Sequence, residues 1–220
     1  MIAVPCSGIW RRPASRCATM GCMTTTDARE FWDAHAATFD EKADHGLRDQ
    51  SVRQAWSRML MPLLPPPPAR VADLGCGTGT LSVLLGQAGY DVTGLDLAPL
   101  MVAAARRKAI DAGLAPVFVV GDASAPELPR GSFDVVLARH VLWTLPDPDA
   151  ALGNWLRLLR PRGRMVLIEG CWGAGSGLTA TEVGALVRRH KREATVMPLD
   201  DPDLWGRAID DERFVVLSRR

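Results

Sequence analysis

Three glycines and three aspartates carry the chemistry of this chain. Gly75, Gly77 and Gly79 stand at i, i+2 and i+4 in Val71-Ala72-Asp73-Leu74-Gly75-Cys76-Gly77-Thr78-Gly79, between a strand-like apolar run and a helical one. Glycine reaches φ > 0 and lets the backbone approach a ligand with no Cβ in the way. The spacing is not the G-x-G-x-x-G of a dinucleotide site, whose third glycine would fall at Thr80, and no Lys-Ser or Lys-Thr pair follows as in a P-loop. Asp73 ends the strand before the loop, where a carboxylate repels a pyrophosphate and can hold an ammonium group. Asp96 ends the next strand, 17 residues after Gly79, a place from which an acid accepts both hydroxyls of a ribose. Asp122, with Ala123 beside it, follows the third strand and is placed to meet an adenine amino group. Each acid has a plainer use, as a turn cap, a helix N-cap or a β-turn residue. Their joint placement at three successive strand ends describes one ligand: an adenine, a ribose and a cationic amino-acid end, without phosphate.

Those residues need a scaffold of alternating strands and helices. Apolar runs at 70–74, 91–95, 116–120, 133–138 and 164–169 read as strands with apolar side chains on both faces, as in a parallel sheet covered by helices. Helical patterns lie between them at 81–88, 99–112 and 150–159, the first two closed by Gly89 and Gly113. The alternation predicts a doubly wound α/β sheet. A helix over 179–189 and two strands over 193–199 and 213–218 follow, while the glycine-rich segment 170–177 reads as a mobile loop at a strand's carboxyl edge. Upstream, residues 27–61 read as largely helical, with Phe31, Trp32, His35 and Phe39 on or near one face and a second helix over 49–60. Asp27 is the expected N-cap, with Glu30 completing a capping box. The run Pro65-Pro66-Pro67-Pro68 predicts a short extended connector.

Composition narrows the function classes. The chain has 220 residues, 26 Lys+Arg against 25 Asp+Glu, and a net charge of +1, so it lacks the basic excess of a nucleic-acid binder. No apolar run approaches the ~20 residues that span a bilayer. Neither a nucleic-acid nor a membrane partner is expected. Five cysteines without a CxxC pair give no disulfide framework and no metal site, and predict reduced thiols in a cytoplasmic protein. Residues 1–22 carry Arg11, Arg12 and Arg16 and no acid, lack the apolar core of a secretory signal, and are expected to be a disordered extension ahead of a working start at Met20 or Met23.

S-adenosylmethionine answers the ligand description, and residues 31–168 resemble the class I S-adenosylmethionine-dependent methyltransferases. Asp73-Leu74-Gly75-Cys76-Gly77-Thr78-Gly79 resembles the family's first motif, which holds the methionine part; Asp96 matches its ribose-binding acid, with Leu97 packing near the adenine. Asp122-Ala123 resembles the adenine-binding pair, Phe133-Asp134-Val135-Val136 the fourth motif, and Leu159-Arg160-Pro161-Arg162-Gly163 the turn before strand five. Arg162 stands where that turn has glycine, so the turn must adapt. The resemblance implies a Rossmann-like, seven-stranded, mostly parallel sheet of order 3-2-1-4-5-7-6 with the last strand antiparallel. It implies one methyltransferase domain over 23–220, composed of an amino-terminal helical lid (23–64) and an α/β core (69–220).

The implied reaction is methyl transfer to an O, N or C atom of a small-molecule acceptor by a monomer or homodimer. Methylation of tRNA or protein, and non-catalytic S-adenosylmethionine binding, are the alternatives. His140, directly after the fourth strand, is a candidate general base or a hydrogen-bonded strand-end histidine. Its neighbour Arg139 is a candidate for binding the methionine carboxylate or a substrate anion, or for a surface ion pair. In the implied lid, His45 is a second candidate catalytic residue, and Phe39 matches a position near the methionine end where relatives often have tyrosine. Trp143, Trp172 and Trp205 are candidates to line an apolar acceptor pocket, or simply core.

Overall fold

The structure is a computed structural model that describes residues 23–172 and 176–220. The expected amino-terminal extension and positions 173–175 of the glycine-rich segment lie outside the described residues. Two helices, α1 (Thr25–His35) and α3 (Gln50–Leu60), flank a short α2 (Ala43–Gly46). The core then alternates through β1 (Arg70–Leu74), α4 (Thr80–Gln87), β2 (Asp91–Asp96), α5 (Pro99–Asp111), β3 (Val117–Val120), β4 (Phe133–Arg139), α6 (Pro148–Leu156) and β5 (Leu159–Trp172). A two-residue β6 (Ser176–Gly177), α7 (Ala180–Arg189), β7 (Glu193–Pro198) and β8 (Glu212–Arg219) complete it.

The strands lie in the order β3-β2-β1-β4-β5-β8-β7, with β6 pairing only to the end of β5. β3, β2, β1, β4 and β5 are mutually parallel, and β8 runs antiparallel to both of its neighbours. The expected order therefore holds for the seven long strands, and β6 is an eighth. Alternation along each strand splits the core in two. Val71, Leu137, Val166, Ile168 and Val215 pack with Trp56 and Leu60 of α3 and Leu85 of α4 on one face. Ala72, Val136, Leu167 and Val216 pack with Trp155 of α6 and Val183 of α7 on the other.

Two local expectations needed correction, the N-cap of α1 and the segment read as a mobile loop. The amino-terminal region is largely helical, and between α1 and α3 it passes through a 3-10 turn (Phe39–Glu41) and α2. The N-cap of α1 is Thr24, and Asp27 fills the N3 place of its capping box. A threonine hydroxyl can accept from the N3 backbone while Asp27 reaches back to the cap, so the box sits three residues upstream of the one read from Asp27 and Glu30. The segment read as a mobile loop begins as the end of β5, where Cys171 and Trp172 pair with β6. The turn containing Arg162 adapts by placing that residue at φ 68, a left-handed conformation that glycine would adopt without strain.

Candidate active site

The strand order reverses between β1 and β4, and a cavity of about 1040 Å³ opens where their carboxyl ends diverge. Open α/β sheets place ligands at this switch point. The residues singled out from sequence meet there: Asp73, Gly75, Gly77, Asp96, Leu97, Asp122, Ala123, Arg139, His140, Phe39 and His45 all line the cavity. Gly79 does not line it. It is the N-cap of α4 at φ 74, and a Cβ there would lie 2.7 Å from the Cβ of Ala105, so its role is the close approach of α5.

The polar side of the cavity is built from backbone and acids. Gly75 and Gly77 have φ of 65° and 55°, and the amides of Gly75 and Cys76 donate to the Leu95 carbonyl at 2.7 and 3.0 Å. Asp96 ties the loop to β2: Oδ2 accepts from Gly77 N at 2.8 Å and Oδ1 from Ala98 N at 2.9 Å. Each carboxylate oxygen keeps a further lone pair for a ligand. Asp73 accepts from Ser82 Oγ at 2.6 Å, and burial pushes its carboxyl up to about 6. A cation beside it would restore the charged form. Asp122 accepts from Ser124 N at 2.7 Å, and α6 fixes the same turn because Trp155 Nε1 donates to Ala123 O at 2.6 Å. Burial, followed by Asp96 and Asp73, raises the Cys76 thiol well above its ordinary value.

The other side is aromatic. The His140 ring lies 5.0 Å from Trp172 and 6.3 Å from Trp205, and Trp172 is 5.2 Å from Trp143. Facing them in the same cavity are Phe31, Trp32, His35, Phe39 and His45, with His45 stacked on Phe39 at 4.4 Å. Desolvation lowers His140 well below 6.5, aided by Arg139, and lowers His45 to about 4, so both rings are neutral at pH 7. Nδ1 of each is buried without a hydrogen-bond partner. Among the described residues no acid and histidine cluster suits a metal, and no helix is long and apolar enough to cross a membrane.

Arginines fasten the aromatic cap to the core. Arg139 lies 5.1 Å from the Trp56 ring centre and donates from Nη1 to the Asp44 carbonyl at 2.6 Å. Arg213 pairs with Asp211 at 2.7 Å, stacks 4.2 Å over Trp205, and comes within 3.7 Å of the Asp44 carboxylate. A second fastening joins Asp40 to Lys108 Nζ at 2.8 Å and to Thr78 Oγ1 at 2.5 Å. Sequence reading missed these partners, which are far apart in the chain and share no local pattern. It also missed Glu169, fully buried at the end of a strand run, although an acid at a strand's carboxyl end is the signal that singled out Asp73 and Asp96.

Comparison with known proteins finds relatives of this chain. Residues 72–167 match the family described as methyltransferase domain. The chain is 41% identical over 117 residues to a demethylmenaquinone methyltransferase of Thermus thermophilus, covering 52% of this chain and 53% of that protein. It is 35% identical over 143 residues to a ubiquinone biosynthesis O-methyltransferase of Xanthomonas axonopodis, covering 64% of this chain and 56% of that one. The chain thus spans about half the length of these curated relatives. Its fold matches the crystal structure of a Synechocystis magnesium protoporphyrin IX methyltransferase with bound SAM at a TM-score of 0.67 and 21% identity, over 89% of this chain and 97% of that one.

Proposed function

We propose, from the premise that this chain carries a class I S-adenosylmethionine-dependent methyltransferase domain, that it transfers methyl groups to a small planar acceptor. One observation carries the reading: acids at three successive strand ends and two left-handed glycines line a single cavity whose opposite side is aromatic. The cavity fits the cofactor by the chemistry of its donors. Asp73 answers an ammonium group, Asp96 a ribose diol, and Asp122 with Ala123 an adenine, while Arg139 has guanidinium donors left for a carboxylate. When bound, S-adenosylmethionine supplies an activated methyl group on a sulfonium sulfur.

The chain's own residues align the acceptor, exclude water and take a proton. A neutral His140 imidazole has a lone pair for the proton of an acceptor hydroxyl as its oxygen gains the methyl group. Residues 23–64 act as the lid, with Phe39 and His45 laid over the glycine loop; a Cβ on Gly77 would come within 3.3 Å of Phe39. Of the twelve Phe, Trp and Tyr among the described residues six line the cavity, which favours a flat acceptor held by stacking. The relatives named for quinone biosynthesis support an acceptor of that kind. The near-neutral charge and the lack of a CxxC pair in the sequence support action in the cytoplasm on a small molecule rather than on nucleic acid.

Calorimetry with S-adenosylmethionine, S-adenosylhomocysteine and NADH tests the cofactor. Binding of the first two and not the third is expected, and NADH binding alone would reverse the assignment. Transfer of labelled methyl to a panel of phenols and hydroquinones, with aliphatic amines as controls, tests the acceptor.

A further inference from the structure

We propose that Glu169 is a positioning residue, which holds the backbone turn after β4 so that His140 keeps its left-handed conformation. Four observations meet at this turn. His140 is not glycine yet has φ 58, a conformation that crowds a Cβ. Its amide donates to the Ile168 carbonyl at 2.8 Å and its carbonyl accepts from Trp143 Nε1 at 3.0 Å, so the residue is tied on both sides. The next two amides, of Val141 and Leu142, point into the protein, and Glu169 Oε1 accepts both at 3.0 and 2.7 Å. Glu169 itself has no exposed surface, and its Oε2 has no hydrogen-bond partner.

A carboxyl in the middle of an apolar layer is costly unless it answers polar groups that would otherwise be orphaned. The side chains on the same face of β5 are Met165 and Leu167, and neither could accept the two amides. With them unpaired, the turn would relax and His140 would return to an ordinary φ, carrying its ring away from Trp172 and Trp205. The catalytic consequence rests on His140 being the base proposed above; the backbone link does not.

The link is tested by melting and calorimetry on the whole chain, with 15N spectra of the histidine rings. Glu169→Met removes the acceptor at similar volume. It is expected to lower the melting temperature by several degrees and to shift the His140 ring signals, while those of His35 and the affinity for S-adenosylhomocysteine stay in place. Glu169→Gln keeps an oxygen for both amides and is expected to restore the His140 signals. In a His140→Gly background, where the left-handed turn carries no strain for the relaxed turn to relieve, Glu169→Met should cost more than it does in wild type. An equal cost in both backgrounds, or a Gln variant as damaged as the Met variant, would overturn the proposal. If Glu169→Met does not fold alone, Glu169→Gln decides: His140 ring signals at their wild-type positions support the link and displaced signals overturn it. Absence of S-adenosylhomocysteine binding by the wild-type protein would sink the cofactor reading instead, and the melting comparison would still decide the role of Glu169.

Discussion

The turns that leave β1 and β4, adjacent strands of one sheet, meet the same backbone demand with opposite chemistry. Both need residues at φ > 0. After β1 these are Gly75, Gly77 and Gly79, which supply the conformation without strain and leave bare backbone facing the cavity. After β4 the residue is His140, which places a ring in the cavity and carries the strain of a Cβ. The first turn needs only neighbouring carbonyls and Asp96 to hold it; the second has a buried carboxyl from the next strand. Where the backbone must touch a ligand, glycine suffices. Where a side chain enters the cavity, the fold retains a strained residue and stabilises it from behind.

Substitutions that exchange these two solutions should separate them. The largest effect is expected from Gly75→Val, because a Cβ there falls 2.4 Å from Val141 and a branched residue resists φ 65. S-adenosylhomocysteine binding should vanish in calorimetry, and urea unfolding should show a loss of about 3 kcal/mol. His140→Asn tolerates the left-handed conformation but lacks the imidazole proposed as the base. Labelled methyl transfer should fall by about 10²-fold or more with cofactor affinity retained; an equal fall in affinity would place His140 in the cofactor half. Asp96→Ala removes the anchor of Gly77 and the candidate ribose acceptor, and should weaken S-adenosylhomocysteine by about 10- to 100-fold in the same titration.

The two turns should also differ in pH response. Burial raises Glu169 to about 8 from its ordinary 4.5, so the folded state holds its proton more tightly than the unfolded state. Its contribution to stability is fully present below about 4.5 and is lost as pH rises through about 8. Asp73, raised to about 6 from 3.8, behaves alike over its own lower window. Wild type should therefore lose stability relative to Glu169→Gln between roughly pH 4.5 and 8, and urea midpoints would reveal it. A gap that does not change with pH would show that Glu169 stays ionised. The smallest effect is expected from Asp40→Ala. Its ion pair with Lys108 is partly solvated, so S-adenosylhomocysteine affinity should drop only about two- to fivefold.

Much of the cofactor half was legible in the chain because its parts are local. A glycine loop and the acids that end strands are short-range features, each tied to an apolar run that must be a strand. The amino-terminal helices were harder: Leu47 at φ 46 closes α2, and nothing in its residue type announces a left-handed stop. The acceptor half was legible only as single residues. Trp143, Trp172 and Trp205 gave no sign of whether they met each other, because tryptophan has the same apolar character in a core as in a pocket.

Residue order alone determined the alternation of strands and helices, the absence of a phosphate-binding pattern and the acids at three strand ends, since each depends on neighbours a few positions apart. Tertiary structure decided which side chains share a space. Asp44 meets both Arg139 and Arg213, and Glu169 reaches the amides of Val141 and Leu142, only because the ends of parallel β4 and β5, the start of antiparallel β8 and α2 meet along one edge. Contacts across such distances are set by packing the whole sheet, and no local pattern encodes them.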